Sequence, residues 1–208
     1  YPLYPGASDV RFEEKENIIL TVGRLGDIQK NSLLLLYAYA LAFPQFDEPW
    51  DLVMVGSVTP EFQADCEDFC RRFPPLAPHV HLTGNIADKH TLHQYYRRAK
   101  IFALPSRAEG GSPNVFSEAA VYGCTVVTTG VDAAPDMTDN GRVGRISPDI
   151  EDFDGFAREL AAVCLDPAYL ARNFHDMRTY IKEFFDYERL AARLQILVEL
   201  QASKRRQK

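Results

Sequence analysis

The chain has 208 residues, 46% hydrophobic and 25% charged, enough for one domain with a buried core and too few for two full-size ones. Its 23 basic and 29 acidic residues leave a net charge of −6, which argues against nucleic acid as a partner. No run approaches the ~20 apolar residues of a membrane span. No signal peptide is visible in the opening YPLYPGASDV, which reads as the middle of something longer.

Short apolar runs alternate along the chain with longer helical patterns. NIILTVG (17–23) predicts a buried strand ending at glycine, followed by an apolar helix, KNSLLLLYAYALAF (30–43). WDLVMVG (50–56) is the second strand, followed by the amphipathic helix PEFQADCEDFCRRF (60–73) with Pro60 in its first turn. HVHLTG (79–84) precedes DKHTLHQYYRRA (88–99), and KIFALPS (100–106) precedes NVFSEAAVYG (114–123). CTVVTTG (124–130) is the fifth strand and GRVGRISP (141–148) a candidate short sixth, with helices predicted over 153–164 and 166–174. This alternation predicts an α/β fold, a Rossmann-like open parallel sheet with helices on both faces. The expected organisation is a leading linker over 1–15, the domain over 16–200 and a basic, disordered tail over 201–208.

In such sheets ligands bind at the carboxyl ends of the strands, and the unusual residues of this chain lie there. In VGRLGDIQKN (22–31), Arg24 and Lys30 follow the strand-end Gly23, and two cations beside a helix N-terminus suit an anion. Taken alone they read equally as solvated surface charges, and no Walker lysine pattern or complete G-x-G-x-x-G is present. In EGGSPNVFSE (109–118), Gly110 and Gly111 admit a close backbone approach, and a helix starting near Asn114 aims its positive end at the same place. Glu118 lies about one turn into that helix. Its carboxylate either accepts hydroxyl hydrogen bonds from a ligand or simply complements the helix dipole. The five histidines and four cysteines form no metal-ligand spacing, so no metal is expected. Cys66, Cys70, Cys124 and Cys164 read as free thiols of a reducing compartment. No G-x-S-x-G elbow marks a nucleophile.

With these pieces in order, the chain resembles the carboxyl-terminal, donor-binding domain of GT-B glycosyltransferases, in particular the retaining glycosyltransferase group 1 or family-four enzymes. The resemblance runs through YPGAS, ILTVGRLGDIQKNSLLLLYAYA, LVMVGS, HVHLTGNI, LHQYYRRAKIFALPSRAEG, EAAVYGCTVVTTGVDAAPDM, DNGRVGRISP and FDYERLAARLQILVEL, almost the whole chain. It implies a nucleotide-diphosphate sugar as donor, no metal or other cofactor, and cytoplasmic placement, peripheral to the membrane where a missing part provides for it. It also implies an acceptor-binding amino-terminal domain outside this chain and a glycan or lipid-linked acceptor. By the same resemblance Gly23, Arg24 and Lys30 hold the diphosphate, while Gly84, Asn85 and Ile86 line the nucleobase. Glu109 and Glu118 stand for the two glutamates of the family's E-x7-E motif, contacting sugar and ribose. Gly110, Gly111, Ser112, Pro113, Asn114 and Val115 between them meet the phosphates.

The chain departs from the family at two places. Eight residues separate Glu109 from Glu118, not seven, so strict counting from Glu118 lands on Gly110. The favoured reading is a one-residue insertion absorbed by Gly110-Gly111, with Glu109 still reaching the sugar; the other is a lost carboxylate. Lys100 stands where the family usually has aspartate. A non-catalytic nucleotide-binding or scaffold domain, or a GT-B sugar-nucleotide epimerase, are the competing functions.

Overall fold

A computed structural model describes Tyr4 and residues 6–184 and 187–206. The strands are β1 (Glu16–Val22), β2 (Asp51–Val55), β3 (Val80–Gly84), β4 (Ala99–Leu104), β5 (Thr125–Thr129) and β6 (Gly144–Ser147). They pair in parallel, in the order β3-β2-β1-β4-β5-β6. The intervening helices are α1 (Ser32–Ala42), α2 (Pro60–Arg72), α3 (Lys89–Arg98), α4 (Asn114–Val121), α5 (Ala134–Thr138), α6 (Phe153–Cys164) and α7 (Pro167–Phe184). A further helix, α8, spans Tyr187–Arg206.

Strand alternation builds two cores. Ile18, Leu20, Val53, Val55, Phe102, Leu104 and Val126 face α3, α4 and much of α7. Their chain neighbours Ile19, Leu52, Met54, Ile101, Ala103 and Val127 face α1, α2 and α6. Helices on both faces bury the middle of the central strands, which is why those stretches read as apolar runs. In α1 the consecutive Leu34, Leu35 and Leu36 are all buried, so the helix is enclosed on more than one side. Chain order runs outward from β1 to β3 and then returns to β4 on the other flank of β1. The loops after β1 and β4 therefore part at the topological switch point, where open α/β sheets hold ligands.

Three features differ from the sequence reading. The last predicted helix continues from Phe174 to Phe184, because Met177, Tyr180 and Ile181 extend its buried stripe. The tail expected to be disordered from residue 201 is helical through Arg206, in keeping with the helix formers Gln201, Ala202, Lys204, Arg205 and Arg206; residues 207 and 208 lie outside the described residues. The leading segment, read as a linker over 1–15, packs against the domain: Ala7 and Val10 are buried, and Arg178 of α7 donates to the carbonyls of Ala7 at 2.8 Å and Val10 at 3.2 Å. Among the described residues no helix is long and apolar enough to cross a membrane.

Candidate functional site

The loop after β1 is tied down on both sides. Gly23 N–H donates to Val55 O at 2.9 Å and Leu25 N–H to Ser57 O at 2.7 Å, so the loop continues to pair beyond the strand. Asp27 then caps a single turn over Ile28–Lys30, its side chain accepting from the Gln29 N–H at 2.9 Å. The loop after β4 is latched to that turn. Arg107 N–H donates to Gln29 O at 2.8 Å, Gln29 Nε2 to Ala108 O at 2.8 Å, and the Arg107 guanidinium to Ile28 O at 2.6 Å.

This latch brings Lys30 and Glu109 together across 79 positions of sequence. Lys30 Nζ lies 2.7 Å from Glu109 Oε1, and the same oxygen accepts from the buried Ser106 hydroxyl at 2.6 Å. The Glu109 side chain is 6% exposed and that of Lys30 20%. Gly110, one position on, is exposed. Of the two positions the motif count leaves open, Glu109 is the one turned inward. Arg24 takes another course: 65% exposed, it pairs with Asp27 at 2.8 Å.

Beyond Glu109 the chain enters an open cleft of about 650 Å3 bounded by Gly110, Gly111 and Ser112, by Asp132 and Asp136 after β5, and by Tyr180 of α7. Gly111 sits at φ +142°, a conformation that favours glycine, with open space where a side chain would point. Pro113 precedes α4 and provides no side-chain cap, leaving the N-terminal N–H groups at Asn114 and Val115 for other acceptors.

Glu118 is buried and faces α3. Lys89 Nζ donates to its Oε1 at 2.6 Å and Tyr96 OH to its Oε2 at 2.9 Å. Burial and the adjacent Glu118 push the Tyr96 phenol well above its ordinary pKa, which keeps it a donor. Sequence reasoning missed Ser106, Lys89 and Tyr96. Only Ser106 lies in the same short motif as its partner; Lys89 and Tyr96 reach Glu118 from 29 and 22 positions away. Gly84 ends β3 and its carbonyl accepts from Gly56 N–H at 3.0 Å, while Asn85 is exposed and Ile86 packs on the core. Lys100, the family departure, bonds Asn17 at 2.6 Å and lies over Phe12 and Trp50, a packing role at the start of β4. Among the described residues no group of three or more His, Cys, Asp or Glu side chains is placed to hold a metal ion.

A six-stranded, all-parallel sheet with this order and its distinctive loops at the switch point is one Rossmann-like half of a GT-B fold. Residues 16–166, more than half of the chain, match the family of glycosyl transferases group 1, and the chain belongs to that family. No curated protein matches it by sequence. Among solved structures it is similar to sucrose-phosphate synthase from Thermosynechococcus elongatus (23% identity, TM-score 0.72, 98% of this chain and 49% of that one). It is also similar to HepE from Anabaena, solved in complex with UDP (20% identity, TM-score 0.70, 90% and 49%). A third relative in fold is the C-terminal domain of LpcC, a glycosyl transferase group 1 protein from Francisella tularensis (16% identity, TM-score 0.70, 84% and 89%). The chain thus spans about half the length of the two longer proteins.

Proposed function

We propose that this chain is the donor-binding half of a retaining glycosyltransferase, holding a nucleotide-diphosphate sugar between the loops after β1 and β4. The observation that carries the reading is the meeting of Lys30 with Glu109 at the switch point, beside the glycine turn and the uncapped start of α4. Lys30 and the N–H groups of Asn114 and Val115 are suited to a diphosphate, whose charge grows as the sugar departs. Arg24 joins them by turning from Asp27, an exposed contact of little strength. Glu109, next to the cleft, is suited to sugar hydroxyls, and Glu118 to the ribose. Gly84 at the end of β3, with Asn85 and Ile86 after it, is suited to line the base. HepE, similar in fold, was solved with UDP, which supports a nucleotide here.

Retention places the incoming hydroxyl on the face the diphosphate leaves, with that phosphate accepting its proton. The acceptor comes from a second domain, and no metal is required because Lys30 and the helix start carry the charge. The one-residue insertion does not make the site degenerate on this reading, since Glu109 already occupies the inner position. Calorimetry of the chain against UDP-, GDP- and ADP-sugars tests the proposal. One of them binds, and Lys30→Ala weakens it by about 1.5–3 kcal/mol, tenfold or more in Kd. Unchanged binding in Lys30→Ala removes the diphosphate from this loop.

A further inference from the structure

We propose that Glu109 is the resting occupant of the phosphate lysine, so that donor binding is an exchange in which diphosphate takes Lys30 and frees Glu109 toward the cleft. This rests on the donor-site reading above and adds an order of events to it. Glu109 Oε1 accepts from both Lys30 Nζ and Ser106 Oγ, at 2.7 and 2.6 Å. An ammonium paired with one anion is not fully available to a second, so a carboxylate and a phosphate compete for it. Diphosphate, with more charge and more acceptor oxygens, is the stronger competitor.

The two partners are not equally free to move. The latch holds both loops, joining Gln29 beside Lys30 to Arg107 and Ala108 before Glu109, but the Lys30 stem also lies over Gly23, where an added Cβ would be 3.8 Å from Lys30 Cδ. Glu109 precedes Gly110 and Gly111, both with open space around them. The carboxylate is therefore the group that yields. Ser106 stays in place, because it is fully buried and its carbonyl accepts from Thr129 Oγ1. After the exchange it still grips Oε1 and leaves Oε2 for a sugar hydroxyl in the cleft. Ser106 is thus a positioning residue for Glu109.

Calorimetry with inorganic pyrophosphate, followed by UDP, GDP and ADP and their glucose conjugates, tests the exchange on the chain as it stands. Glu109→Gln tightens pyrophosphate binding about fivefold, the scale of a half-buried ion pair, and Glu109→Ala does the same. Glu67→Gln removes the same charge from the exposed face of α2, outside the cleft, and shifts binding by less than about twofold. Ser106→Ala lowers the preference for whichever sugar nucleotide binds over its parent diphosphate, and Ser106→Thr restores that preference. An unchanged or weaker affinity in both Glu109 variants overturns the exchange, as does an equal gain in Glu67→Gln. An unchanged preference in Ser106→Ala overturns the positioning role. If Lys30→Ala abolishes binding while Glu109→Gln is neutral, the donor site stands and the exchange falls. If neither pyrophosphate nor any of the nucleotides binds the unaltered chain, both fall.

Discussion

His93 of α3 is buried at 7% exposure, with the Tyr4 ring centroid 5.9 Å away and that of Tyr122 5.5 Å away. Burial holds its pKa below the ordinary 6.5; Lys89 and His90 act in the same direction, while Glu118 and Asp88 oppose it. Below pH 6.5 the unfolded chain takes up a proton that the folded site resists, so the unfolded state binds more protons and stability falls as pH drops from 6.5 toward the lower folded value. We therefore expect His93→Phe, which keeps an aromatic ring against Tyr122 and cannot titrate, to flatten part of that slope. Thermal melts of both proteins between pH 7 and 5 measure it, and parallel curves would show that the imidazole protonates as readily folded as unfolded. The same helix shows where sequence reading stops at single residues. Glu118 was legible as a carboxylate about one turn into a helix, but its partners Lys89 and Tyr96 reach it only because α3 and α4 lie on the same face of the sheet.

The glycines that end the strands are element-scale features. Gly56 follows β2 at φ +142°, and a Cβ there would lie 1.7 Å from the carbonyl oxygen of Gly23, the residue that follows β1. Gly56→Ala must strain its own backbone and push the β1 loop aside, together a cost of about 2–4 kcal/mol. Urea unfolding is expected to show that loss, with nucleotide affinity reduced as the Gly23–Lys30 loop shifts. A midpoint unchanged from the parent protein would mean that the two strand ends are not packed this tightly. The strands themselves were legible because Val, Ile and Leu runs bounded by glycine leave little else to form. Helix α5 was not, since five residues holding Pro135 and Asp136 carry no period. Of the candidate site, Lys30, Glu109 and the glycine turn were legible as chemistry. The inward turn of Glu109 was not, because it is decided by hydrogen bonds from Arg107 and Gln29 between loops distant in sequence.

At the scale of the whole molecule, the domain closes on itself but its site does not. Both faces of the sheet are covered, and Arg178 ties the leading segment to α7, joining residues about 170 positions apart. With both sheet faces covered, independent folding is the expectation, and with it nucleotide binding, since Lys30, Glu109, Ser106 and the α4 start all come from this one sheet edge. Transfer asks for more. An acceptor hydroxyl must be oriented against the departing sugar and water kept out, and alignment of that kind is worth several kcal/mol of barrier. The cleft beside Glu109 is open, and the chain spans 49% of the HepE and sucrose-phosphate synthase chains. We therefore expect the 208-residue chain to bind a nucleoside diphosphate while releasing it from sugar nucleotide only slowly, with or without glycan acceptors. A coupled assay for free nucleoside diphosphate measures this directly. Rapid, acceptor-dependent release by this chain alone would place the acceptor-orienting groups on the domain itself, and the cleft walls at Asp132, Asp136 and Tyr180 would be where to seek them.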